Sequence, residues 1–150
     1  MPAAADTTAI PRPELEELID RYVEAWGQRD ADAIAEHHSP DGVFQLHAAG
    51  EPVVGREAIR DTFDALLRQW PDLGFERRRL ILHDSGWVVE WTMSGTLAEP
   101  LELEGVVIGR PGARMEVDAL DVIDVEDGLL AAKHTFLDSV SLMRQLGEAQ

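Results

Sequence analysis

The sequence predicts an α+β fold in which three helices close one face of a curved, mostly antiparallel sheet. The first observation is that apolar residues recur at helical spacing in residues 13–27, 30–38 and 55–70. The second is that the segments after residue 74 alternate apolar and polar residues and are separated by short turn motifs. Helices grouped ahead of strands are typical of the α+β class.

Composition predicts one domain that binds a small molecule. With 150 residues and 45% hydrophobic content, we expect a single domain over residues 13–150 and a flexible N-terminal tail over residues 1–12. The net charge of -16 disfavours nucleic acid and anionic membranes as partners, so a small apolar molecule suits the chain better. No transmembrane or signal segment is evident, and we expect a soluble, cytoplasmic protein.

The first helix is predicted from Pro13, which suits a first helical turn, to Gly27, which suits a helix end. Its apolar stripe includes Tyr22, the only tyrosine of the chain. If the ring is buried, the hydroxyl needs a polar partner, and an acid in a pocket is one candidate. The alternative is an ordinary core tyrosine whose hydroxyl reaches the surface.

The second and third helices are predicted over residues 30–38 and 55–70. His37 and His38 are neighbours in the second helix and cannot share a face, so we expect neither a metal pair nor any other cofactor there. We interpret them as helix-end histidines near a favourable dipole. The turn motif Ser39-Pro40-Asp41-Gly42 follows them.

Strands are predicted over residues 42–47, 75–83, 86–97, 101–108, 115–126 and 129–138. His47 ends the first strand, where it is either a base or an ordinary polar residue. One face of the strand 115–126 is apolar except for Asp121. Because an unpartnered buried carboxylate costs several kcal/mol, Asp121 predicts a protonated acid, a charge partner or a polar cavity. The alternative is a half-buried face on which Asp121 reaches solvent.

The turn after this strand decides which side chains Asp121 meets. A three-residue loop of residues 126–128 places Lys133 and Thr135 on its face, whereas a two-residue loop places His134 there. We favour the three-residue loop. Lys133 is the only lysine, and on that face it would pair with Asp121 and keep it ionised. The alternative is a lysine that extends along the surface.

Five short segments carry a resemblance to a known family. They are RYVEAW (21–26), VVGREAI (53–59), ALDVIDV (119–125), DGLL (127–130) and RQLGE (144–148). With them the chain resembles the nuclear transport factor two-like superfamily, and within it the SnoaL-like polyketide cyclases and the ketosteroid isomerases. The resemblance implies a cone-shaped sheet around a hydrophobic pocket, and a homodimer formed through the outer sheet face.

The resemblance also implies site residues. The oxyanion-hole tyrosine and protonated aspartate of the isomerases fall on Tyr22 and Asp121, but their general base falls on Leu46, which cannot accept a proton. The acid/base aspartate and the histidine of the cyclases fall on Thr135 and Asp121. The catalytic Arg and two Asp of the related limonene epoxide hydrolases fall on Trp91, Met93 and Thr135, so epoxide hydrolysis by their mechanism is not expected.

Together these observations predict a small cofactor-independent isomerase or cyclase that acts through an enol or enolate on an apolar, polyketide-like or steroid-like molecule. Tyr22 and Asp121 would stabilise the oxyanion, and His47 or His134 would move the proton. The predicted substrate-binding residues are Trp26, Leu46, Phe63, Trp87, Trp91, Met93, Lys133 and Thr135. The alternatives are a binding protein without chemistry, which the missing base at Leu46 supports, and a subunit-interaction module with a filled cavity.

Overall fold

The structure, a computed structural model, describes residues 9–103 and 105–147. The helices are α1 (Arg12–Gly27), α2 (Ala31–Ala35), α3 (Arg56–Gln69) and α4 (Ser139–Leu146). The strands are β1 (His38–Leu46), β2 (Val53–Val54), β3 (Gly74–His83), β4 (Gly86–Thr96), β5 (Leu101–Leu103), β6 (Val106–Ile108), β7 (Arg114–Glu126) and β8 (Leu129–Leu137). None of the described helices is long and apolar enough to cross a membrane.

Six strands form one curved sheet in the order β2-β1-β8-β7-β4-β3, and β5 pairs with β6 in a separate hairpin. Within the large sheet only β1 and β8 run parallel, and the other neighbouring strands are antiparallel. Register shifts in β1, β3 and the β7–β8 pair bend and twist the sheet, as bulges do. The predicted α+β class with a mostly antiparallel sheet is confirmed.

Two elements differ from the predictions because tertiary contacts extend or create them. Helix α4 was not predicted. It begins where the Asp138 side chain accepts a hydrogen bond from Ser141 N at 3.0 Å, and it buries Leu142 and Leu146. Strand β1 starts at His38 instead of Gly42, since it pairs in parallel with β8 from Leu130 onward. Helix α2 therefore ends at Ala35, and the predicted turn at residues 39–42 is extended.

The chain enters the fold earlier than the predicted tail boundary suggests. The backbone N–H of Ile10 donates to the carbonyl of Asp84 at 2.8 Å, so the chain is held before α1 begins. Residues 1–8 of the predicted tail, and Glu148 of the RQLGE segment, lie outside the described residues. The predicted strand over residues 101–108 is the β5–β6 hairpin.

Two clusters of buried apolar side chains fill the space between helices and sheet. The larger packs α1, α2 and α3 against the inner sheet face, and it includes Leu15, Ile19, Ile34, Ile59, Phe63, Trp87, Val89, Ile123 and Leu130. The smaller lies under α4 and the β5–β6 hairpin, and it includes Trp70, Leu97, Ile108, Met115, Leu142 and Leu146. Trp26 packs against both clusters, so the space beside it lies at their junction.

The β7–β8 hairpin sets which side chains face this junction. Its loop has two residues, Asp127 and Gly128, both with positive φ, so the predicted three-residue loop is wrong. A register shift follows, because Leu130 pairs with Val125 while Ala132 pairs with Asp124. The extra residue between them restores the alternation that the longer loop would have given. Lys133 and Thr135 therefore share the inner face with Asp121, as predicted.

Candidate functional site

A buried group of polar side chains lies on the inner face of the sheet, and we call it the polar cluster. Its members are Tyr22 from α1, His38 from β1, Asp121 from β7, and Lys133 and Thr135 from β8. Each of these residues is at most 8% exposed. Such groups are costly to bury unless they bind one another, and here they form a connected network.

Lys133 is the centre of the polar cluster. Its ammonium Nζ donates to Tyr22 Oη at 3.1 Å and lies 4.0 Å from Asp121 Oδ2. Four aromatic rings surround it, with ring centroids 4.9–6.0 Å from Nζ: Trp26, Tyr22, Phe63 and Phe44. Burial alone would lower the pKa of Lys133, but the attraction of Tyr22 and Asp121 outweighs it and the net pKa is raised. The side chain is therefore an ammonium at neutral pH.

Asp121 is held as a hydrogen-bond acceptor. Thr135 Oγ1 donates to its Oδ1 at 2.6 Å, and Trp91 Nε1 donates to its Oδ2 at 3.1 Å. The Lys133 ammonium also lies 4.0 Å from Oδ2, so Asp121 faces two hydrogen-bond donors and a cation. The family resemblance implied a protonated aspartate, which would have to donate its own O–H to an acceptor. The described contacts of Asp121 are two donors and a cation, so the arrangement does not fit that role.

Tyr22 and His38 are both neutral. Tyr22 Oη lies 2.8 Å from His38 Nε2. Burial raises the pKa of Tyr22 more than the charge of Lys133 lowers it. Burial, assisted by the charge of Lys133, lowers the pKa of His38 to about 3. Asp121, the candidate acid partner for the Tyr22 hydroxyl, does not bind it directly, because the Lys133 ammonium is the partner of both groups.

His38 is the member of the polar cluster that the sequence analysis missed. The turn motif that follows it indicated a helix end, whereas the residue is fully buried at the start of β1. The one available signal was that a buried Tyr22 needs a polar partner, and the sequence does not say which residue supplies it. The Nδ1 atom of His38 has no partner among the described residues.

Two cavities meet at the polar cluster, with volumes of about 90 Å³ and about 230 Å³. Both are lined by Trp26, Phe75, Asp121 and Lys133. The smaller cavity is also lined by Leu46, Phe63, Met93 and Thr135, and the larger by Tyr22, Arg29 and Trp91. Of the predicted wall residues only Trp87 lines neither cavity, because it packs within the larger apolar cluster. Phe75 and Arg29 are wall residues that the sequence analysis did not identify.

The two predicted proton-transfer histidines lie elsewhere. His134 pairs with Val122 and so points to the outer face of the sheet, opposite to Lys133 and Thr135. His47 follows β1, is exposed, and places its Nε2 2.9 Å from Nδ1 of His134. Neither of them lines either of these two cavities. This placement corrects the expectation that one of them moves a proton in the pocket.

No set of three or more His, Cys, Asp or Glu side chains within residues 9–103 and 105–147 is arranged to hold a metal ion. The cavities present to a ligand the Lys133 ammonium, the Asp121 carboxylate and apolar aromatic walls. They also present the Arg29 guanidinium and the hydroxyl groups of Tyr22 and Thr135.

Comparisons with solved structures show the fold. A protein from Jannaschia sp. CCS1 described as a SnoaL-like polyketide cyclase aligns with a TM-score of 0.77 and 21% identity, over 92% of this chain and 94% of the other. TsrD from Streptomyces laurentii aligns with a TM-score of 0.74 and 24% identity, over 93% and 99%. A Catenulispora acidiphila DSM 44928 protein of ketosteroid isomerase-like fold, in complex with trimethylamine, gives 0.72 and 14%, over 89% and 94%.

No curated protein sequence matches the chain. The family model described as the SnoaL-like domain matches residues 19–133, which include the whole polar cluster except Thr135. The match covers most of the described fold, from α1 into β8. By this match the chain belongs to the SnoaL-like domain family.

Proposed function

We propose that the protein is a cofactor-independent isomerase or cyclase that acts through the enolate of an apolar, polyketide-like or steroid-like carbonyl compound. One observation carries the proposal. Asp121 and Lys133 form a buried ion pair, and both side chains line both cavities. A carboxylate and an ammonium in contact with the same apolar space are the two groups that enolisation requires.

The proposed step uses Asp121 as the base. Its carboxylate takes the proton from the carbon next to the ligand's carbonyl, and the C–H electron pair forms a carbon–carbon double bond. The carbonyl π electrons move to oxygen, where the Lys133 ammonium stabilises the enolate. An isomerase returns the proton to a different carbon. In a cyclase the enolate carbon attacks a second carbonyl carbon, the first C=O re-forms, and the oxygen of the second carbonyl takes the proton back from Asp121. These roles replace the oxyanion role that the family resemblance implied for Asp121.

The neutral members of the polar cluster support these roles. The Tyr22 hydroxyl is held by His38 and accepts from Lys133, so it fixes the ammonium without neutralising it. The apolar walls exclude water and so strengthen the interaction between Lys133 and a developing oxyanion. Asp121 balances the charge of Lys133 before the ligand binds.

The test is proton exchange, which needs no knowledge of the natural substrate. β-Tetralone, an apolar bicyclic ketone, is incubated with the protein in deuterium oxide, and the loss of its α-proton signal is followed by NMR. We expect acceleration by the wild type, and a loss of at least about 100-fold in Asp121→Asn with ligand affinity within about tenfold. The matched control is Asp118→Asn on the same strand, whose exposed carboxylate accepts a hydrogen bond from Thr92.

A binding protein without chemistry is the second candidate, and one observation favours it. Both carboxylate oxygens of Asp121 already accept hydrogen bonds, from Thr135 and from Trp91, so a ligand C–H competes with these two donors for them. Under this reading β-tetralone binds, and its exchange is equally slow with the wild type and with Asp121→Asn. That outcome would reject the enzyme proposal.

We also propose a homodimer formed through the outer sheet face. Neighbouring residues there form an apolar patch, in which Phe136 and Ile81 are 42% and 46% exposed and Leu120, Val122 and Val88 are half-buried. An exposed apolar patch of this kind favours self-association. Sedimentation at micromolar concentration is expected to give a dimer, and Phe136→Glu a monomer. A monomeric wild type would refute this interface.

A further inference from the structure

The indole N–H of Trp26 is a buried donor that has no hydrogen-bond partner among the described residues. Its ring lines both cavities, and the ring centroid lies 4.9 Å from Lys133 Nζ. An indole nitrogen is a donor only, and a buried one normally finds an acceptor. The position of Trp26 in the cavity wall suggests that a ligand supplies it.

The protein itself offers few alternatives. The rings packed against Trp26 include Phe63 and Phe75, with centroids 4.9 Å and 5.7 Å away, and neither has an acceptor atom. The indole N–H of Trp26 acts to lower the pKa of Tyr22, although burial raises that pKa overall. It does not have the geometry of a hydrogen bond to Tyr22 Oη. Tyr22 Oη is already engaged by Lys133 and His38.

We infer that Trp26 Nε1 and Lys133 Nζ together form the oxyanion hole, so that the ligand is an apolar molecule with a carbonyl or enol oxygen between them. This inference rests on the proposed function, and it adds the geometry in which the substrate is bound. One oxygen can accept from two donors at ~2.9 Å only if the donors lie within about 6 Å of each other. Lys133 Nζ lies 4.9 Å from the centroid of the Trp26 ring, which is compatible with this limit. Asp121, whose Oδ2 lies 4.0 Å from Lys133 Nζ, remains the proposed base.

The experiment compares two probes that differ by one oxygen, β-naphthol and naphthalene. The ionised naphthol is an enolate-like anion, and its absorbance reports its protonation state when bound. In the wild type we expect bound naphthol to ionise at lower pH than free naphthol. In Trp26→Phe the apparent pKa of bound naphthol should rise by about one unit, a tenfold loss of naphtholate stabilisation, while naphthalene affinity changes less than twofold.

Two controls protect the test against a merely structural effect. Trp87→Phe removes an indole from the apolar cluster and should leave the ionisation of bound naphthol unchanged. In the wild-type protein, where folding is not in question, the Trp26 indole N–H resonance should shift with naphtholate and stay in place with naphthalene. The four tryptophans make this assignment feasible by single Trp→Phe variants.

Three results would overturn the inference. The first is an unchanged pKa of bound naphthol in Trp26→Phe, and the second is an equal loss of affinity for both probes in that variant. The third is a Trp26 indole N–H resonance that responds in the same way to naphtholate and to naphthalene. Naphthol undergoes no turnover here, so its binding is measured separately from proton exchange. If β-tetralone exchange fails while the naphthol effect appears, the donor pair stands and the enzyme proposal falls. The reverse result rejects only the donor pair.

Discussion

The Lys133 ammonium lies 4.0 Å from the Asp121 carboxylate, and both side chains are almost completely buried. Desolvating two charges is expensive, and the pair alone does not recover that cost. Here Asp121 also accepts from Thr135 and Trp91, while Lys133 donates to Tyr22 within a ring of aromatic side chains. The polar cluster is therefore a fully connected network whose members depend on each other.

The first prediction is that breaking this pair destabilises the fold strongly. Lys133→Met leaves a buried carboxylate without its cation, and we expect a loss of ~3–5 kcal/mol in the free energy of unfolding. The double variant Lys133→Met/Asp121→Asn should lose less than the sum of the single variants. Urea denaturation measures all three.

The exposed pair Arg12–Glu16 provides the matched control. Its side chains are 77% and 51% exposed, so replacing either by Ala should change stability by only ~0–1 kcal/mol. Additive losses at Lys133 and Asp121 would show that the two charges do not interact.

The second prediction concerns acid stability. The pKa of His38 falls from its ordinary 6.5 to about 3 in the folded protein, so the unfolded state binds one more proton between these pH values. Stability must therefore decrease as pH falls through this window, by up to ~1.4 kcal/mol per pH unit from this residue.

His38→Gln tests the acid prediction, because Gln keeps a polar group near Tyr22 but does not titrate. The variant should be less stable at neutral pH, and its free energy of unfolding should fall less steeply below pH 6.5 than that of the wild type. Parallel profiles for His38→Gln and the wild type would contradict the burial of a neutral histidine.

The third prediction is that the space around the Lys133 ammonium accepts a free alkylammonium ion. Lys133→Ala removes three carbons and the nitrogen, and propylammonium supplies the same atoms. Because the aromatic rings and Asp121 remain in place, millimolar propylammonium should raise the melting temperature of Lys133→Ala and leave the wild type unchanged. Propanol, which lacks the charge, is the control ligand. Equal effects of the two ligands would show that charge plays no part.

The fourth prediction contrasts two glycines. Gly128 lies in the two-residue hairpin loop with φ of 75°, where a Cβ is strained, so Gly128→Ala should lose ~1–2 kcal/mol. Gly27 ends α1 with helical backbone and open space around a new Cβ, so Gly27→Ala should gain ~0.5–1 kcal/mol. Thermal or urea denaturation measures both. A neutral Gly128→Ala would contradict the hairpin geometry.

The amino-acid sequence by itself determined the elements whose signals are local. The apolar stripe of α1 and the alternation along β7 predicted both elements within one residue of their observed bounds. The same alternation singled out Asp121, because a lone carboxylate on an apolar face is conspicuous without any knowledge of its neighbours. The sequence also placed Tyr22 in an apolar stripe and offered Lys133 as a partner for Asp121, but it left a surface position open for the hydroxyl of the one and the ammonium of the other.

Only the tertiary structure decided which partners those groups have. Lys133 and Asp121 share a face through a two-residue loop followed by a register shift, a combination that no local pattern distinguishes from a three-residue loop. His38 reaches Tyr22 because β1 extends to pair with β8, a contact between residues far apart in sequence. Hydrogen-bond partners and charge states depend on such long-range pairing and on burial, whereas the sequence pattern reports only which faces are apolar.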